Sequence, residues 1–132
     1  MPVRQRVDKA RRRVWAEVSG TFTLGEIVAA IAQALGHPDF EPGFDILSDH
    51  TQITEPITSE QLQQMASHLK AQSHLLAGSR WAVVATQPAS YGMMRVWSVL
   101  AEQVPLEVHV FDALEDAEQW LASPHSRRAE KP

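Results

Sequence analysis

Residues 80–86 read Arg80-Trp81-Ala82-Val83-Val84-Ala85-Thr86. The unbroken apolar run from Trp81 to Ala85 suits a strand buried on both faces, because a half-exposed strand would alternate with polar residues. A strand of that kind sits in the middle of a sheet with helices above and below it.

Reading toward the C-terminus, a helix is expected from about Ser90 to Gln103, burying Met93, Val96, Trp97 and Leu100. Leu106, Val108 and Val110 then alternate with Glu107 and His109 as a strand. Asp112 and Glu115 are placed to cap a last helix that buries Ala117, Trp120 and Leu121.

Reading toward the N-terminus, Thr58 and Gln61 form a capping box with Ile57 and Leu62 as its staple. The helix they start buries Leu62, Met65, Ala66, Leu69 and Leu76, and Gly78 lies past its end. A short strand, Phe44 to Asp49, precedes it and follows the turn-rich loop 37–43. Thr23 and Glu26 make another capping box, with Phe22 stapled onto Ile27. Leu24, Ile27, Val28, Ile31 and Leu35 share one face of that helix, and Gly36 is its expected C′ stop. Val3, Gln5 and Val7 alternate with Arg4 and Arg6. After a turn at 8–11, Val14, Ala16 and Val18 alternate with Trp15, Glu17 and Ser19, which completes an antiparallel hairpin.

The resulting order is ββαβαβαβα: an α/β class with a mixed, mostly parallel sheet of about five strands flanked by about four helices. One domain is expected over residues 1–122, followed by a loose polar tail, 123–132.

Composition limits the function classes. The 132 residues are 44% apolar and 21% charged, the balance of a globular domain. There is no cysteine, so neither a disulfide nor a thiolate site can form. The opening residues hold no apolar h-region, so a cytoplasmic protein is the expectation. The net charge of −4 is uneven. Arg4, Arg6, Lys9, Arg11, Arg12 and Arg13 crowd the hairpin against Asp8, whereas residues 14–126 set only Lys70, Arg80 and Arg95 against fourteen acids. An acidic body repels phosphate backbones, so nucleic acid is not an expected partner. The basic hairpin could touch an anionic membrane surface; the plainer reading is a solvated face.

No enzyme signature is present. The six histidines show no i, i+4 pair and no His-Glu-x-x-His, so no metal site is expected. There is no Gly-x-Ser-x-Gly and no Gly-x-Gly. Asp45 and Asp49, four apart on a strand, are about 13 Å apart and make no dyad. No cofactor is expected either.

Topology points to a binding site instead, because ligands of open α/β sheets sit beyond the carboxyl ends of the parallel strands. That edge should gather Asp49, His50, Thr86, Ser90, Tyr91, Gly92 and Arg95, with Gly92 allowing close approach and the helix N-terminus and Arg95 favouring an anion. The competing reading gives Gly92 to helix–sheet packing and Arg95 to an ion pair. Thr58 and Ser59, at a helix start, are positions where a phosphoryl group would be electrostatically welcome, although Thr58 also serves simply as a cap.

The order of elements, with FDILSD after a Phe-x-Pro-Gly loop, RWAVVA, YGMMRVWSVLAEQ and EVHVFDALEDAEQWL, resembles the SpoIIAA-like proteins. These are small bacterial domains of the STAS fold, related in shape to the CRAL-TRIO (Sec14) lipid-binding domains. The resemblance runs from about Val14 to Leu121 and implies a non-enzymatic regulatory module that binds a protein partner or a small apolar or anionic ligand. The alternative it implies is a carrier of an apolar ligand with peripheral membrane contact. In the anti-sigma antagonist branch, a serine in an Asp-Ser-Ser-Gly-like motif at the start of the second helix is phosphorylated; here that place reads Ile57-Thr58-Ser59-Glu60. A homodimer is compatible with an exposed sheet edge.

Overall fold

The computed structural model describes residues 3–123. β1 (Val3–Asp8) and β2 (Arg13–Gly20) form the hairpin. They are followed by α1 (Leu24–Leu35), β3 (Asp45–Ile53), α2 (Ser59–Lys70), a four-residue α3 (Ser73–Leu76), β4 (Arg80–Val84), α4 (Pro88–Leu100), β5 (Glu107–Phe111) and α5 (Leu114–Ala122). The sheet runs β1-β2-β3-β4-β5, with β1 antiparallel to β2 and every other pair parallel.

This order dictates the layering. From β2 to β5 each strand is laid beside its predecessor in one direction, and crossovers between parallel strands are right-handed, so the intervening helices all fall on one face. That face carries the large core in which Ile27, Leu62, Met65, Leu69, Met94 and Trp97 pack on Val18, Ile53, Trp81, Val83 and Val108. α5 follows the last strand and crosses nothing. It covers the opposite face, where Ala117 and Leu121 pack on Leu47, Ala82 and Val84.

β4 lies between the two layers with all five residues buried, four of them apolar and the fifth Arg80. Both capping boxes form: Thr23 with Glu26 starts α1, and Thr58 with Gln61 starts α2. Other expectations are corrected. The second helix breaks at Ala71–Gln72, so Leu76 reaches the core from α3. The 90–103 helix is α4 with a turn of 3-10 helix at Ala101–Gln103. It is rotated so that Met94 and Trp97 are buried while Val96 is exposed. Strand β3 extends to Ile53. Gly36 ends α1 at φ −90°, not in the left-handed region, and Ala113, not Asp112, is the N-cap of α5. Of the expected tail only Ser123 is among the described residues.

Two local features position the site. Between Glu17 and Ser19 on β2 the pairing with β3 jumps from Asp49 to Gln52, an extra residue in β3. The bulge reverses the side-chain alternation, so His50 and Ile53, three apart, both serve the helix-rich side. The hairpin turn is held by Arg12 at φ 54°, whose guanidinium bonds Glu41 at 3.2 Å and lies 4.9 Å over the Phe44 ring.

Candidate functional site

A row of paired residues crosses the sheet: Gln5 on β1, Ala16 on β2, Ser48 on β3 and Val83 on β4. Two of the four, Ala16 and Ser48, are short and adjacent, and Ala30 and Ala34 of α1 line the same space. Small residues on both layers leave a gap that neighbouring Leu and Ile cannot close. The gap is a cavity of about 60 Å³ under α1, walled by Val3, Val14, Val18, Ile27, Ile31, Leu35, Ile46, Met65, Leu69 and Trp81.

Three polar side chains line it: Gln5, Ser48 and His50. Ser48 Oγ accepts a 2.8 Å hydrogen bond from Trp81 Nε1. Gln5 Oε1 and both ring nitrogens of His50 are buried without a hydrogen-bond partner among the described residues. His50 is 3% exposed, and burial holds its pKa down to about 4, against the opposing pull of the Asp49 carboxylate. At neutral pH its ring is therefore uncharged and offers one donor and one acceptor, both idle. Leaving buried polar atoms unpaired costs about 1–3 kcal/mol each. An apolar chamber with idle polar atoms in its wall can bury hydrocarbon and exchange hydrogen bonds with whatever enters.

The residues singled out from sequence do not gather in one place. His50 lines the cavity. Asp49 points to the other side of β3, where its Oδ1 accepts from Thr51 N at 2.9 Å and Thr51 Oγ1 at 2.7 Å. Ser90 is buried with its hydroxyl unpaired, Tyr91 packs half-buried on the main core, and Thr86, Gly92 and Arg95 are exposed. Gln87 ties this helix start to the end of β3 through Nε2 to Ile53 O, 3.1 Å. Thr58 and Ser59 are exposed, with Thr58 Oγ1 accepting from Gln61 N at 3.1 Å. Four of the basic hairpin residues pair with acids: Arg4 with Glu17, Arg11 with Asp8, Arg12 with Glu41 and Arg13 with Glu118. Arg6 lies 4.9 Å over the Trp15 ring.

Gln5, Ala16 and Ser48 escaped the sequence reading. The signal was parity: Gln5 alternates in phase with Val3 and Val7, and Ser48 and His50 in phase with Ile46, which puts polar side chains at core positions.

Among the described residues no three His, Asp or Glu side chains converge to hold a metal, and no helix is long and apolar enough to cross a membrane. No family model and no curated protein matches the sequence. A solved structure does match: that of an uncharacterised protein of the DUF3478 family from Shewanella loihica PV-4, described as having a SpoIIAA-like fold. It is similar over 91% of this chain and 94% of its own, with a TM-score of 0.63 at 15% sequence identity. With its five-stranded mixed sheet, its helices on both faces and this likeness, the chain has a SpoIIAA-like fold.

Proposed function

We propose that the protein is a non-enzymatic binding module, regulatory in role, that takes a small, largely apolar ligand in the cavity under α1. The observation that carries this reading is the pairing of an apolar chamber with the unpartnered His50 ring and Gln5 Oε1. Buried polar groups are ordinarily satisfied, and these would be satisfied by a guest. His50 is the single titratable side chain in the wall, which supports binding over acid–base catalysis. Native against denaturing mass spectrometry, with organic extraction of what is released, tests it. Excess mass lost on denaturation is expected, and that excess should be absent from Ala16→Leu, which fills the chamber. A clean apo mass, together with no saturable uptake of small alcohols by the purified protein, would overturn the reading in favour of a protein-partner module.

The carrier version adds contact with an anionic membrane through Arg4, Arg6, Lys9, Arg11, Arg12 and Arg13. Ion pairing already engages four of these residues, so a membrane has to compete with acids of the same chain. Salt-sensitive liposome binding that is lost when Arg11, Arg12 and Arg13 become Ser supports it; no binding at low salt removes it.

A further inference from the structure

A second space lies on the far side of α1: a groove of about 270 Å³ between α1 and α2, bordered by Val28, Leu75, His68 and Gln72. Ile31 and Leu35 line both the groove and the inner cavity, so these two side chains form part of the partition between them. Neither is fully buried, and only Ile27 and Ala34 of the twelve residues of α1 are, although the helix is strongly apolar. Rotation of a half-buried aliphatic side chain is a local rotamer change that needs no movement of the helix axis.

Size makes the partition matter. At about 60 Å³ the inner cavity is less than half of the roughly 150 Å³ that accommodates benzene, so alone it holds a polar head and a few carbons. Cavity and groove together just reach the lower end of ligand pockets, about 300 Å³, which is room for one chain but not two. Charge narrows the ligand further. No Lys, Arg, Asp or Glu lines the inner cavity. A carboxylate or ammonium carried to its inner end would be buried without a counter-ion, whereas a hydroxyl both donates and accepts, as a neutral imidazole and an amide oxygen require.

Resting on the binding reading above, we infer that the ligand is a single-chain amphiphile with an uncharged hydroxyl head. The head is held at His50 and Gln5, and the chain passes between Ile31 and Leu35 into the α1–α2 groove.

The test is a titration of the full-length protein with 1-butanol, 1-hexanol, 1-decanol and sodium decanoate, followed by calorimetry and by two-dimensional NMR. Affinity is expected to rise about three- to fourfold per methylene through the series. Signals of His68, Gln72 and Leu75 should move with decanol but not with butanol. Decanoate at neutral pH should bind at least tenfold more weakly than decanol, and His50→Phe should lower decanol affinity by a similar factor. An affinity that levels off at butanol with the groove signals still would overturn the chain path while leaving the cavity as a binding site. Equal binding of decanoate and decanol would overturn the uncharged head. Failure of every alcohol, butanol included, would remove the binding reading itself.

Discussion

The two faces of the sheet solve the same problem differently. The helix-rich face has three long helices and most of the buried apolar residues, yet it contains a void and idle polar atoms at Gln5 and His50. The other face has one nine-residue helix and a small core, and its polar groups are heavily engaged. Arg80, 4% exposed, donates to the carbonyls of Trp120 (2.9 Å), Leu121 (3.0 Å) and Ser123 (2.6 Å), closing the C-terminal end of α5, while its own N–H donates to Asp45 Oδ1 at 2.9 Å. Beyond the reach of α5, Arg4 with Glu17 and Arg6 with Trp15 cover β1 and β2. A large core has stability to spare for an imperfect, receptive interior; a thin one depends on its polar clamps.

The thin face is most vulnerable at Arg80. Arg80→Ala leaves Asp45 buried beside a lost cation and opens the end of α5, so a loss of about 3–5 kcal/mol is expected in urea unfolding. A loss under 1 kcal/mol would mean that the thin face does not rest on this clamp.

Next comes pH. An unfolded imidazole titrates near 6.5, whereas folded His50 titrates at about 4. As pH falls the unfolded chain takes the proton first. Stability is therefore undiminished above 6.5, declines between 6.5 and 4, and loses about 3 kcal/mol in all from this group. His50→Phe should flatten that slope; an unchanged pH profile would show that His50 is not a buried neutral ring.

Filling the void is a smaller effect with an opposite sign. Ala16→Val should stabilise by about 1 kcal/mol in thermal or urea unfolding while abolishing alcohol binding, and destabilisation would mean that the space is already packed. Smallest is Arg4→Ala, with an exposed guanidinium: a change within about 0.5 kcal/mol is expected by the same measurement, and a larger one would promote the β1–β2 surface to a structural clamp.

The elements were largely legible because their signals are local. Trp81–Ala85 announced a doubly covered strand, and Thr23/Glu26 and Thr58/Gln61 announced two helix starts within four residues each. The rotation of α4 was not, since Met93 and Met94 are equally apolar and only the packed sheet selects Met94. The break at Gln72 was hidden because Ala71 and its neighbours suit a continuous helix. At the site, His50 was reachable from the rule about strand ends. Its partners depend on register across β1, β2 and β3, and the bulge that keeps Ile53 on the same side leaves no mark in one strand read alone.

The placement of α5 bears on how the chain is made. Each strand from β2 to β5 docks beside the one synthesised just before it, so the helix-rich face can close progressively behind the ribosome. Leu47, Ala82 and Val84 have no such neighbour: they wait for Ala117 and Leu121, delivered by the last helix described. Until then a nascent chain presents an uncovered apolar strip, so the docking of α5 is the step that withdraws this face from contact with other unfolded chains.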